Sequence, residues 1–153
     1  MRTSKQVETA LHCCLVLAWA EDRPIPSARL AELFDLPPAY LNKAMQALAH
    51  SQIVESVAGA AGGFRLARPP AAITLMDVVA AIEGRDPLFR CDEIRQHGTA
   101  ASAQAPTRAC GIARAMGRAD AAYRRELAAQ TIASLMDDAP TAVRRRTLAA
   151  LRT

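Results

Sequence analysis

At 153 residues the chain has the length of one domain, or of one small domain with an extension, and it can bury a core without disulfide or metal staples. Hydrophobic residues make up 51% and aromatics only 4%. A composition so poor in aromatic and β-branched runs, and so rich in Ala and Arg, excludes a sandwich or barrel and favours helix. The net charge is +4, yet residues 1–84 hold seven Lys or Arg against eight Asp or Glu, so the basic excess lies wholly in residues 85–153. A basic chain invites a nucleic-acid partner, but here the placement of the charges has to carry that reading.

The longest apolar stretch, Ala10 to Ala20, falls well short of the ~20 residues of a membrane span. Glu8 and His12 interrupt any cleavable leader behind Met1. The expectation is a cytoplasmic protein without a membrane partner, whose four cysteines serve chemistry or packing rather than a disulfide framework.

In chain order, Val7, Leu11, Cys14 and Ala18 recur at helical spacing, and Pro24 and Pro26 end that helix. Ser27 is a good N-cap for a second helix, Ala28 to Phe34. Asp35-Leu36-Pro37-Pro38 makes a turn, and a third helix starts at Pro38 or Ala39 with Leu41, Met45 and Leu48 as its apolar stripe. This is the spacing of a helix-turn-helix. Gln52 to Val57 and Phe64 to Ala67 read as two strands of a hairpin, or wing, turned at Ala58 to Gly63, where Gly62 and Gly63 allow positive φ. Thr74 caps a helix that Gly84 stops. Asp86 to Arg108 is polar and of low complexity, a loop. One long Ala-rich helix is expected from Cys110 to Met136, with Ile112, Met116, Ala119, Tyr123 and Leu127 in one stripe, and a short basic tail from Ala142 to Arg152.

A helix-turn-helix lays its second helix in the major groove, where base pairs differ in donors and acceptors. Off the apolar stripe of the third helix stand Tyr40, Asn42, Lys43 and Gln46. Asn and Gln can bond adenine twice, Lys can reach guanine or phosphate, and Tyr40 can hold a phosphate. The bland alternative is an ordinary polar helix face; the wing that follows makes the DNA reading stronger.

Gly59-Ala60-Ala61-Gly62-Gly63-Phe64-Arg65-Leu66-Ala67-Arg68-Pro69, followed by Ile73-Thr74-Leu75-Met76-Asp77-Val78-Val79 and Ile82-Glu83-Gly84, resembles the Rrf-two family of bacterial winged-helix regulators, which includes IscR-like and NsrR-like repressors. The likeness covers nearly the whole chain. It implies a mainly α fold: a winged helix-turn-helix DNA-binding domain with a long C-terminal dimerisation helix. The parts would be a DNA-binding domain at 1–84, a cysteine-flanked sensor loop at 85–110, and a dimerisation helix with basic tail at 111–153. It also implies a homodimer on an inverted-repeat duplex operator. Ser27, Tyr40, Asn42, Lys43, Gln46, Gly62, Gly63, Arg65 and Arg68 are then the DNA-contacting residues. The family usually carries an Arg just before the first wing glycine; here it is Ala58, so a minor-groove contact passes to Arg65 or is absent. Arg68 has two readings of equal weight, a phosphate contact or a salt bridge inside the domain.

Cys13 and Cys14 read as small core side chains. Cys91 and Cys110 flank the polar loop, where cysteine-bearing members of the family place cluster ligands. The usual three cysteines are two here, with Pro106 near the position of the third. An iron–sulfur cluster asks for four ligands. The runs Val7 to Cys14, Asp92 to Gln96 and Ala113 to Gly117 are similar to a redox-sensing RsrR-like subgroup, in which a Glu and a His join cysteines on a [2Fe–2S] cluster. Carried over, the ligands are Glu8, His12, Cys91 and Cys110, with His97 as a spare. Glu8 and His12 are four apart and share a helix face, which a plain solvated i,i+4 pair would also explain.

The resemblance thus implies a homodimeric regulator, not an enzyme, sensing redox or iron–sulfur status through a [2Fe–2S] cluster. The alternative keeps DNA binding and makes Cys91 and Cys110 a thiol–disulfide switch. A small metalloenzyme lacks a nucleophile–base arrangement or a phosphate loop, and a protein-interaction module is permitted by the net −1 charge of residues 1–84.

Overall fold

The computed structural model describes residues 4–104 and 106–152. Met1 to Thr3, which bear on the leader argument, lie outside the described residues, as does Ala105 in the loop. Seven helices and one two-stranded sheet follow in the order α1 (Lys5–Trp19), α2 (Ser27–Leu33), α3 (Pro38–His50), β1 (Val54–Val57), β2 (Gly63–Leu66), α4 (Leu75–Glu83), α5 (Gly111–Ala129), α6 (Ile132–Asp138) and α7 (Thr141–Ala150). The chain divides into two compact units, one of residues up to Gly84 together with those from Leu127 onward, the other Arg85–Glu126.

In the first unit α1 is the central element. From Cys13 to Ala20 every side chain but Leu15 is buried, and α3, α4, α6, α7 and β2 pack around it. Glu21 takes a positive φ of 57° and ends it. Leu30 and Ala31 of α2 and Leu41, Ala44, Met45 and Leu48 of α3 fill the space beneath, so the expected stripe of the third helix is its buried face. Ser27 corrects the sequence reading: the cap position belongs to Pro26, and Ser27 is the first helical residue, half-buried and without a capping hydrogen bond. The proline pair fixes this, because φ at Pro26 is already preset for helix entry.

The wing is antiparallel, pairing Val54 with Leu66, Glu55 with Arg65, Ser56 with Phe64 and Val57 with Gly63. It has a third attachment for which the sequence carries no signal. The amide of Ile25 donates to the Phe64 carbonyl at 2.9 Å, and the Phe64 amide donates back to Ile25 at 2.8 Å. The wing is thereby tied to the segment that launches α2. The glycines divide their work differently from the expectation. Gly63 has a φ of +152°, and a Cβ there would lie 2.3 Å from the Ile25 carbonyl carbon. Gly62 does not take a positive φ; it is required because a Cβ would fall 2.2 Å from the Val57 carbonyl oxygen.

Thr74 and Asp77 form a reciprocal capping box at the start of α4, each bond 3.0 Å, and Gly84 ends the helix at φ +84°. The single helix expected from Cys110 to Met136 is two. Gln130 and Thr131 leave the helical path, and the Leu75 amide donates to the Gln130 carbonyl at 3.0 Å while the Ile132 amide donates to Ile73 at 2.9 Å. Thr131 and Ser134 then form a second capping box, and Ile132 is fully buried. The gain from burying Ile132 and pairing these strand-like residues outweighs the helix propensity of the Ala-rich run. The expected basic tail is a helix, α7, held on the core by Val143, Leu148 and Leu151.

The second unit contains the loop, with two short 3-10 turns at Ile94–Gln96 and Gly98–Ala100, and the greater part of α5. Arg124 bonds Asp120 at 2.9 Å and the Asp86 carbonyl at 2.7 Å, fastening the start of the loop to the helix. No described side chain of residues 85–126 is buried. No helix among the described residues is long and apolar enough to cross a membrane.

Candidate nucleic-acid interface and sensor cysteines

The recognition candidates sit as the helix-turn-helix spacing requires. Asp35 adopts φ 50° in the turn, Pro38 opens α3, and the Leu41, Met45 and Leu48 face is buried against α1 and α2. Lys43 and Gln46 are therefore exposed, while Asn42 and Tyr40 are half-buried at the edges of the same face. On the wing, Arg65 is half-buried along its stem and its guanidinium pairs with Glu55 across the strands at 2.7 Å, at the surface. Such an exposed pair is held weakly and can open to an incoming phosphate. Arg68 is differently placed. Its guanidinium donates to the carbonyls of Gln52 and Ala72, both at 3.2 Å, and stands 3.8 Å from Asp77. These bonds link the end of the wing to the start of α4, which is the intramolecular one of its two readings.

Glu8 and His12 both lie exposed on α1, one turn apart. The His12 ring stands 5.8 Å from Phe34 at 51°. Together with Lys5, Leu36 and Tyr40 they line a cleft of about 510 Å³ between α1 and the turn of the helix-turn-helix. Sequence reasoning misses Phe34 and Lys5 here; a spacing of 22 residues between His12 and Phe34 leaves no local signal.

Cys91 and Cys110 are brought close enough within the second unit for each thiol to influence the other. Cys110 immediately precedes α5 and its carbonyl accepts from Arg114 at 3.0 Å. The backbone amides of Ala113 and Ile112 point at its sulfur and hold its pKa below the ordinary thiol value, with Arg95 and Cys91 adding to the effect. Arg95 has no role legible in the sequence. It is gripped by Glu93 through two hydrogen bonds, one of them at 2.7 Å, and Glu93 itself is bent to φ 50°. The guanidinium is thereby parked beside both sulfurs, and their charge in turn helps to keep it protonated. His97 is exposed in the loop. Cys13 and Cys14 are opposite in character: burial pushes the Cys13 thiol up to about 12 and Cys14 higher still, so both are packing residues.

For a four-ligand cluster, the donors therefore come as two pairs, Glu8 with His12 on α1 and Cys91 with Cys110 at the loop ends. Among the described residues of one chain no group of three or more His, Cys, Asp or Glu stands ready to hold a metal. Thiolate, imidazole and carboxylate are all donor types that iron accepts, so the two pairs would suit an iron–sulfur cluster were one bound.

A family model described as "Rrf2: Iron-dependent Transcriptional regulator" matches residues 3–138. The chain belongs to the Rrf2 (Rrf-two) family. A transcriptional regulator of Rhodopseudomonas palustris named BadM is 35% identical over 83 residues, 54% of this chain, and the chain spans about half of that relative's length (53%). The transcriptional regulator NsrR of Geobacillus kaustophilus is 30% identical over 139 residues, covering 90% of this chain and 91% of its own. Among solved structures, CymR, described as the global cysteine regulator of B. subtilis, superposes with a TM-score of 0.74 over 92% of this chain and 99% of CymR, at 21% identity. The Rrf2 family and these relatives are transcriptional regulators rather than enzymes, and the winged-helix fold is shared.

Proposed function

We propose that this Rrf2 protein is a cytoplasmic homodimeric DNA-binding regulator that reads an inverted-repeat operator and responds to redox or iron–sulfur status. The observation that carries the DNA reading is the third helix, with its apolar face spent on the core and Lys43 and Gln46 left outward between Tyr40 and Asn42. Gly62 and Gly63 shape the wing tip, Arg65 replaces the missing arginine at position 58, and Ser27 starts the helix that crosses the backbone. Arg68 serves the wing from inside.

In this reading the sensor is a [2Fe–2S] cluster held by Glu8 and His12 of one chain and Cys91 and Cys110 of a second. Ligand chemistry supports it: replacing thiolates with imidazole removes negative charge and raises the reduction potential, so such a site gains and loses an electron readily. The dimer is supported by Ile112, 66% exposed, and Met116, 40% exposed, on the same stripe of α5, which in a lone chain face solvent.

A second reading has its own observation. Cys91 lies close enough to Cys110 to influence it, and Cys110 favours its thiolate. Attack of that thiolate on a peroxide would give a sulfenic acid, which Cys91 would resolve to a disulfide with release of water.

Selection of a duplex from a random-sequence pool by the purified protein tests the DNA reading. Asn42→Ala and Gln46→Ala should each cost about 1–3 kcal/mol on the selected duplex and relax the preference at particular positions. Failure to enrich any sequence would refute it.

A further inference from the structure

We propose that α7 and the turn after it form a second, non-specific DNA-contact element, in which Arg145, Arg146 and Arg152 bind the phosphate backbone beside the recognition helix. The proposal rests on the DNA-binding reading above and extends it to a part of the chain that lies outside the helix-turn-helix and the wing.

Three observations carry it. The first is charge. Residues 1–84, which hold the helix-turn-helix and the wing, have no basic excess, and three of their arginines, Arg29, Arg65 and Arg68, already face acids. Non-specific affinity for duplex DNA comes from cations that displace counterions along the phosphates. Residues 141–152 contain four Arg and no Asp or Glu, the densest basic segment of the first unit.

The second is attachment. Val143 and Leu148, half-buried on one side of α7, and the buried Leu151 just after it pack against the same core that supports α2 and α3. Arg145 and Arg146 are therefore carried on a seated helix, and Arg152 follows directly on the buried Leu151, so they lose little further freedom on binding. Arg144 is drawn toward Glu21 at 4.0 Å, whereas among the described residues no acid pairs with Arg145, Arg146 or Arg152. Arg144, Arg145 and Arg152 rim one shallow depression of about 490 Å³ floored by Leu148 and Ala149. Arg145 and Arg152, held around a common depression, match the oxygens of a phosphate, and Arg146 stands exposed outside it, free to reach a neighbouring one.

The third is continuity with the DNA-reading elements. The carbonyl of Ala150 accepts a hydrogen bond from Arg29 at 3.2 Å. Arg29 lies in the first turn of α2, the helix that crosses the DNA backbone in a helix-turn-helix. The end of α7, two residues ahead of Arg152, thus abuts the part of the motif that approaches phosphate. A protein partner with an acidic face would suit the same charge, but only the duplex follows from this adjacency.

The test is fluorescence anisotropy of the full chain on a labelled duplex of mixed sequence, about four helical turns long, repeated over a series of salt concentrations. Two triple variants are compared with the natural chain, Arg145→Gln/Arg146→Gln/Arg152→Gln and Arg145→Lys/Arg146→Lys/Arg152→Lys. The Gln variant should bind more weakly at every salt concentration, with a logarithmic salt slope shallower by about one unit for each phosphate no longer neutralised. The Lys variant should keep most of the slope. All three side chains are exposed, so the variants should stay folded, which circular dichroism of each checks. If the Gln and Lys variants bind alike, the proposal fails while the DNA-binding reading stands. If the natural chain binds no duplex at any salt concentration, both fail together.

Discussion

Cys110 meets the backbone amides of Ala113 and Ile112 at the head of α5, and Arg95 adds its charge from the loop. Its folded-state pKa is lowered, so the thiolate persists to a lower pH than in the unfolded chain, and the reactivity it confers disappears as pH falls through that lowered value. Iodoacetamide labelling of the metal-free, reduced protein followed by peptide mass analysis should find Cys110 modified first at neutral pH. Its rate should fall off at a lower pH than that of an unstructured cysteine peptide. Arg95→Ala should move the profile back toward alkaline pH. Cys13 and Cys14, with thiols raised by burial, should label only after denaturation. Faster labelling of Cys13 or Cys14 than of Cys110 in the native protein would contradict this assignment.

Among the elements, the break between α5 and α6 makes a sharp prediction because two readings differ in sign. If residues 110–136 were one helix, Thr131→Ala would stabilise the protein through propensity. With Thr131 accepting from the Ser134 amide at 3.1 Å in a capping box, the same change should cost about 1 kcal/mol, read as a lower urea midpoint with unchanged slope. The sequence could not reveal this break, since an Ala-rich run reads as helix throughout and the deciding contacts come from Ile73 and Leu75, far back along the chain. Elsewhere punctuation was local and legible. Pro24, Pro26, Pro37 and Pro38 delimit the helix-turn-helix, and Thr74 and Gly84 bracket α4 closely. The same logic misplaces the cap at Ser27 and assigns Gly62 a positive φ. At Ser27 the neighbouring Pro26 takes the cap, and at Gly62 what local patterning omits is the Val57 carbonyl oxygen standing where a Cβ would go. In the cysteine pair the types and positions were legible from the chain, whereas the Arg95 cation was not, its place being set by the Glu93 grip.

For the whole molecule, no described side chain of residues 85–126 is buried, while Leu88, Ile94, Ile112 and Met116 are exposed. A segment of this kind gains its core from a second surface. Ile112→Glu should therefore convert a dimer to a monomer, seen as a halved mass in sedimentation equilibrium, and should weaken operator binding because two half-sites are no longer read together. A natural chain that is monomeric at micromolar concentration would count against the dimer.

Sensing, in the leading reading, depends on one cluster joining the two donor pairs. The most direct measurement is the visible absorption spectrum of protein purified without oxygen, with iron and sulfide counted for the natural chain and for Cys110→Ala and His12→Ala. The natural chain should show charge-transfer bands with about two irons and two sulfides per site, abolished by Cys110→Ala and shifted or absent in His12→Ala. A colourless, iron-free protein from anaerobic cells would contradict the cluster and leave sensing to the Cys91 and Cys110 thiols.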